Sequence, residues 1–165
     1  MIDLIARALN PLLMIALPLA LGVSLARRYR VDWRFYGLGA ISFTLSQVFH
    51  LPFNTWVLLP LFTRLELAPA TQGAGAVVFA LGVGLSAGVF EESARYLLIR
   101  LWPRPERRWE NAMMFGAGHG GLEAILLGLL VGYGFFQALA LRGVPLETAV
   151  PADQLAATQA QLIAY

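Results

Sequence analysis

The sequence predicts an all-α membrane protein, a polytopic transmembrane helical bundle with about four spans. Hydrophobic residues make up 58% of the 165-residue chain and charged residues only 13%. The mean hydropathy is +0.66, which is outside the usual range of soluble domains. Several apolar runs can cross a bilayer core of about 30 Å at about 1.5 Å per residue. We therefore expect residues 1–141 to form one transmembrane helical domain.

The first two spans are expected at about residues 2–26 and 35–61. The first run is longer than the apolar core of a signal peptide, and arginines follow it directly, as in a stop-transfer sequence. It is therefore expected to be a retained span, bent by Pro11 and Pro18. Pro52 is expected to kink or end the second span, because proline lacks a backbone N–H.

The third and fourth spans are expected at about residues 76–101 and 109–141, joined by a short arginine-rich loop. Gly84 and Gly88 form a GxxxG pair on the third span, which favours close contact with another helix. Residues 142–165 form a short tail of mixed composition, with room for a brief interfacial helix.

The distribution of charge predicts the membrane topology, and the net charge argues against a nucleic-acid partner. The basic residues are all arginine, and most of them gather in two loops, which alternate with weakly charged ones. The positive-inside rule then places the arginine-rich loops in the cytoplasm and the N-terminus outside the cell membrane. A net charge of +2 is too small to suggest a nucleic-acid partner, so membrane lipids are the expected surroundings. The oligomeric state is left open. The absence of cysteine excludes disulfides and thiolate metal sites.

Five charged or histidine residues lie well inside the third and fourth spans. They are Glu91, Glu92, Arg95, His119 and Glu123. A charged side chain at the centre of a span costs at least about 2.5–3.5 kcal/mol, and such residues usually mark a functional site. We therefore expect these five side chains to face a polar pocket.

The two groups of polar residues lie at a similar depth. Glu91 lies nine residues before Arg100, and His119 lies eleven residues after Arg108. At helical rise these intervals are about 13 Å and about 16 Å from the arginine-rich loop. Because the short loop makes the two spans antiparallel neighbours, we expect Glu91 and His119 to meet in the cytoplasmic half of the membrane.

The spacing of these residues is suited to a metal site. His119 and Glu123 are four residues apart and share one helix face, as do Glu91 and Arg95. A histidine and a carboxylate on one face are typical ligands of a divalent metal. A neighbouring glutamate, Glu91 or Glu92, is then the candidate proton acceptor, with Arg95 to keep Glu91 ionised or to stabilise an oxyanion.

At these residues the sequence resembles the YhfC family of intramembrane metalloproteases. The resemblance rests on residues 91–96 (Glu-Glu-Ser-Ala-Arg-Tyr) and 114–125 (Met-Phe-Gly-Ala-Gly-His-Gly-Gly-Leu-Glu-Ala-Ile), and more loosely on 46–50 (Ser-Gln-Val-Phe-His). The wider group includes CAAX prenyl endopeptidases, bacteriocin-processing or immunity proteins and PrsW-like proteases, which share a Glu-Glu…Arg motif on one span and a histidine on the next.

The resemblance implies a zinc-dependent hydrolase that cleaves a peptide or membrane-protein substrate. The residues implied as catalytic are Glu91, Glu92 and Arg95, and those implied at the zinc are His119, Glu123 and Glu92. Family members are longer, and a later helix supplies another histidine for the metal. The chain resembles the family without its C-terminal part, so either it is a fragment of a longer protein or its metal site is incomplete.

Other interpretations of the same residues remain open at this point. Glu91 and Arg95 fit a structural ion pair, His119 fits a hydrogen-bonded core histidine, and Glu123 fits a partner that only orients a ligand. The whole cluster also fits a non-catalytic membrane protein that binds a ligand, passes a signal or gives resistance to a peptide. Gln47 and His50 are expected to form interhelical hydrogen bonds.

Overall fold

The computed structural model describes residues 2–67 and 73–163, and every regular element in them is helical. The α-helices are α1 (Ile2–Tyr29), α2 (Trp33–Phe53), α3 (Leu59–Arg64), α4 (Gly73–Arg100), α5 (Trp109–Ala140), α6 (Leu146–Ala149) and α7 (Leu155–Ile163). A π-helical segment, Asn54–Leu58, joins α2 to α3, and a 3-10 turn, Arg104–Glu106, lies between α4 and α5. The predicted all-α membrane fold is confirmed.

Three helices in the described part of the chain are long and apolar enough to cross a membrane. They are α1 from Leu4 onward, α4 and α5, which correspond to the first, third and fourth predicted spans. The second predicted span is a composite of α2, the π-helical segment and α3, and its passage through the bilayer stays a prediction. The tail contains the short helices α6 and α7, whose position at the membrane surface also stays a prediction.

Pro52 changes the helix type without ending the helical run. It lies in the last turn of α2, where it supplies no N–H to the hydrogen-bond ladder. The ladder then widens, since the N–H of Leu59 donates to the carbonyl of Asn54, five residues back. Wider turns of this kind often occur next to functional sites.

The chain divides into two compact units. One comprises Met1–Leu19 with Ala124–Tyr165, and the other comprises Ala20–Glu123. In the first unit, α1 and α5 approach closely at Gly128, where an added Cβ would lie 2.9 Å from the Cβ of Met14. All five ionisable residues singled out from the sequence belong to the second unit, Ala20–Glu123.

The core of the second unit is an aromatic cluster at one end of its helices. The ring centroid of Trp102 lies 4.8 Å from that of Phe35 and 5.4 Å from that of Phe115. Leu25, Val31 and Met114 complete the cluster. It joins α1, α2 and α5 to the loop that follows α4.

Glycine allows α2 and α5 to touch along their backbones. A Cβ on Gly39 would overlap the carbonyl oxygen of Phe115, and a Cβ on Gly118 would overlap that of Tyr36. The predicted close contact at Gly84 and Gly88 is wrong for the described residues, because a Cβ at either position would meet nothing within 4 Å. The close approach therefore lies between α2 and α5, beside His119.

Candidate metal centre

His119 of α5 and Glu91 of α4 lie side by side, as their depths predict. The Nε2 atom of His119 is 3.5 Å from the Oε2 atom of Glu91. The side chains are only 3% and 19% exposed, respectively. An imidazole and a carboxylate from two neighbouring helices thus meet in the interior of the unit.

The separation of these two atoms is too long for a good hydrogen bond. A charge-assisted N–H···O bond is about 2.7–2.9 Å long, and the buried Nε2 of His119 has no hydrogen-bond partner among the described residues. A nitrogen and an oxygen on one tetrahedral zinc are about 3.3–3.5 Å apart, since their bonds to the metal are about 2.0–2.2 Å. The 3.5 Å gap therefore fits an ion held between the two side chains.

The second ring nitrogen of His119 contacts α2. Its Nδ1 atom lies 3.2 Å from the Oγ atom of Ser42, and the ring packs edge to face against Phe43 at a centroid distance of 5.6 Å. Helix α2 thus limits the orientation of the imidazole from two sides.

Arg95 links both glutamates of α4. Its Nη2 atom lies 2.8 Å from Oε1 of Glu92 and 3.6 Å from Oε2 of Glu91. The Glu92 side chain is 72% exposed, whereas the Glu91 side chain is directed to His119. The structure therefore brings Glu91, Arg95 and His119 together and leaves Glu92 outside the pocket that was expected to receive it.

Glu123 lies one helical turn beyond His119 on α5. It is half-buried. Within residues 2–67 and 73–163, no three His, Asp or Glu side chains are grouped so that they could hold one metal ion. Among the described residues, His119 and Glu91 are thus the two possible ligands that lie side by side, and Glu123 is not grouped with them.

The sequence is similar to a known family of membrane proteins. A model of the YhfC intramembrane metalloprotease family matches residues 13–164. The chain belongs to the YhfC family. The uncharacterized membrane protein YhfC of Bacillus subtilis (strain 168) is 32% identical over 123 residues, which cover 73% of this chain and 45% of the relative. The chain thus spans less than half the length of this relative, and no solved structure matches it.

Membership of the YhfC family and the apolar helices agree on the location. The chain is a multi-pass membrane protein. The family name implies a metal-dependent protease. The unpartnered nitrogen of His119 next to a carboxylate is the feature of this YhfC-family chain that fits a metal.

A second polar cluster of this YhfC-family chain joins α2 to α4 around His50. Its Nε2 atom lies 2.9 Å from Nδ2 of Asn54 and 3.1 Å from Oγ of Ser86, and its Nδ1 lies 3.4 Å from Oε1 of Gln47. Oγ of Ser86 also lies 3.1 Å from Oδ1 of Asn54 and 2.8 Å from the carbonyl oxygen of Val83, and its single hydrogen is donated to one acceptor at a time. The expected interhelical hydrogen bond of His50 is therefore present, with Ser86 as its partner, while the contact to Gln47 stays within α2.

Sequence reasoning missed Ser42, although a signal was present. Polar residues follow one another at intervals of four along α2 and into the π-helical segment: Ser42, Ser46, His50 and Asn54. Side chains four apart lie on one helix face, and the first three of these are buried. A polar stripe on an otherwise apolar span predicts an inward-facing surface, and Ser42 lies at its end nearest to His119.

Proposed function

We propose that this chain carries the catalytic centre of a zinc-dependent intramembrane peptidase. The observation that supports this proposal most directly is the pair formed by His119 and Glu91, with Nε2 and Oε2 3.5 Å apart and Nε2 without a hydrogen bond among the described residues. A buried polar atom without a partner costs about 1–3 kcal/mol. A bound metal ion would remove that cost.

His119 and Glu91 would hold the ion, and Glu123 would become a third donor only if its side chain moved closer, because among the described residues it is not grouped with them. When bound, zinc polarises a carbonyl group and lowers the pKa of bound water to about 7. Glu92 does not enter this arrangement unless its side chain turns inward, because 72% of it is exposed.

Glu91 would also move the proton during hydrolysis. Its Oε2 faces His119 and Arg95, so Oε1 is the atom proposed to accept a proton from water and to return it to the leaving amine. General acid–base catalysis of this kind contributes about 10²–10⁴-fold to a rate. The guanidinium of Arg95, 3.6 Å from Glu91, places a positive charge beside this carboxyl group.

The proposed substrate is a peptide bond in a peptide or membrane protein that reaches the bilayer interior. The site lies between two helices that are apolar enough to cross a membrane, so a soluble chain would have to enter the lipid phase first. We further propose that the arginine-rich loops are cytoplasmic, which puts the site in the cytoplasmic half of the membrane.

The peptidase proposal is tested with purified protein in zinc-containing liposomes. A mixture of synthetic membrane-spanning peptides is added, and new peptide termini are found by mass spectrometry. The wild-type chain is expected to produce them, and Glu91→Gln is expected to lower the rate by about 10²–10⁴-fold. Glu106→Gln is the matched control, since Glu106 pairs with Arg34 at the end of the bundle and should leave the rate unchanged.

Two results would contradict the peptidase proposal. One is cleavage that continues at the wild-type rate in Glu91→Gln. The other is a wild-type chain that binds zinc and cleaves none of the peptides, which would favour the non-catalytic alternative, a membrane protein that uses the same cluster to bind a ligand.

A further inference from the structure

We propose that Ser42 is the positioning residue of the metal centre: its hydroxyl accepts the Nδ1 hydrogen of His119 and so directs Nε2 to Glu91. The part of this inference that concerns bound zinc rests on the proposed function. The hydrogen bond between Ser42 and His119 does not. Ser42 touches neither substrate nor metal, and it would act only through the imidazole.

The contact is a buried one between residues that are distant in sequence. Ser42 is fully buried, with 0% exposure, and His119 is 3% exposed. Their Oγ and Nδ1 atoms lie 3.2 Å apart across 77 positions of the chain. In such surroundings water cannot readily replace a lost partner, so the hydroxyl and the imidazole depend on each other.

The chemistry of imidazole gives the direction of this hydrogen bond in the metal-bound form. A neutral imidazole carries one N–H, and the other nitrogen offers a lone pair. If zinc takes the lone pair of Nε2, the hydrogen must be on Nδ1, and Ser42 Oγ is the acceptor within reach. The partner of the outer N–H commonly orients a metal-ligating histidine, and its loss typically costs 10–100-fold in metal affinity.

The backbone contact between α2 and α5 explains why this serine reaches the ring. Gly39 lies three residues before Ser42, and a Cβ there would come within 2.7 Å of the backbone N of His119. Gly118, next to His119, makes the reciprocal approach to Tyr36. The two glycines thus bring α2 close enough for a side chain as short as serine to contact the imidazole.

Helix α2 also supplies a matched control. Ser46 lies one turn from Ser42 on the same buried stripe, but its hydroxyl donates to the carbonyl of Phe43 at 2.7 Å, and no hydrogen bond to His119 is formed. Ser42→Ala and Ser46→Ala therefore remove the same group from the same helix face, and they differ in the contact to His119.

The experiment uses the chain labelled with ¹⁵N-histidine and studied by NMR, first without metal. The protein has only two histidines, so His50 serves as an internal reference. Ser42→Ala is expected to shift the Nδ1 signal of His119 and to leave both His50 signals in place. Ser46→Ala is expected to leave the His119 signals unchanged, and Ser42→Thr, which retains the hydroxyl, is expected to return Nδ1 towards its wild-type position.

The second arm measures zinc affinity with a competing chelator. Ser42→Ala is expected to bind zinc about 10–100-fold more weakly than the wild type. Ser46→Ala is expected to bind zinc as tightly as the wild type, and the affinity of Ser42→Thr is expected to lie between those of Ser42→Ala and the wild type. Thermal unfolding of each variant identifies any loss of affinity that is due to misfolding.

The two arms separate the positioning role from the proposed function. An unchanged Nδ1 signal in Ser42→Ala would overturn the positioning role, whether or not zinc binds. Equal zinc affinity of the folded Ser42→Ala and wild-type chains would overturn it as well. A wild-type chain that binds no zinc while Nδ1 still responds to Ser42→Ala would instead contradict the metal centre.

Discussion

Two histidines are buried in the unit Ala20–Glu123, and their surroundings differ in one respect. His50 is 6% exposed and His119 is 3% exposed. Both ring nitrogens of His50 have neighbours within 3.4 Å, namely Gln47 on one side and Asn54 and Ser86 on the other. Among the described residues, His119 has a hydrogen-bond partner at Nδ1 alone, and Nε2 faces a carboxylate without forming a hydrogen bond.

This difference separates a structural histidine from a candidate ligand. A closed network such as that of His50 satisfies its polar groups and joins two helices. A buried ring nitrogen without a hydrogen-bond partner costs free energy in apolar surroundings. That cost is removed when an ion or a substrate group binds to the nitrogen. Burial alone therefore does not distinguish the two residues, whereas the partners of each nitrogen do.

The same helix serves both histidines. From its polar stripe, α2 provides Ser42 to His119 and His50 to Ser86 of α4. Asn54, which follows α2, contacts both His50 and Ser86. One side of this helix thus serves two histidines with different surroundings.

The largest expected effect comes from separating α2 and α5. Gly118→Leu would drive a side chain into the backbone of Tyr36, so we expect a loss of stability above about 4 kcal/mol, or failure to fold. Gly120→Leu is the matched control, because a Cβ at Gly120 meets nothing within 4 Å. Thermal unfolding in detergent measures both, and equal stability of the two variants would refute the close helix contact.

An intermediate effect is expected from opening the closed network. Asn54→Ala removes the nearest neighbour of His50 Nε2, at 2.9 Å, and should destabilise the protein by about 1–2 kcal/mol, in the range of interhelical hydrogen bonds in membranes. Zinc affinity should change less than twofold. Chemical denaturation and chelator competition measure the two quantities, and a large loss of zinc affinity in a folded variant would show that His50 belongs to the metal centre.

The smallest effect is expected at Glu92. Glu92→Gln removes the 2.8 Å ion pair with Arg95, but the Glu92 side chain is 72% exposed, so stability should change by no more than about 0.5 kcal/mol. Zinc content should equal that of the wild type. Metal analysis of the purified variant decides the point, and loss of zinc would restore Glu92 to the metal site, as the sequence led us to expect.

The sequence was sufficient to predict the apolar helices and the meeting of Glu91 with His119. Apolar length and the distance of each residue from the arginine-rich loop determine both, and neither depends on side-chain packing. The sequence could not show whether Glu91 or Glu92 faces His119, because adjacent residues differ by about 100° in direction around a helix. Only the packing of α4 against its neighbours decides which of them turns inward.

Glycine illustrates the same limit. The GxxxG pair at Gly84 and Gly88 has open space around it, while Gly39 and Gly118, which form no such motif, carry the backbone contact. A motif on one helix cannot identify its partner. Ser42 was missed for a related reason, since a serine on an apolar helix becomes informative only when the stripe to which it belongs is matched with a neighbouring side chain.

The most direct test of the difference between the two histidines is the zinc content of a matched pair of variants. Histidine is replaced by glutamine in both, in His119→Gln and in His50→Gln, and metal is measured after purification and removal of free zinc. We predict that His50→Gln retains the zinc of the wild type and that His119→Gln loses it. Zinc retained in His119→Gln, or lost equally from both folded variants, would contradict the assignment of His119, and not His50, as the metal ligand.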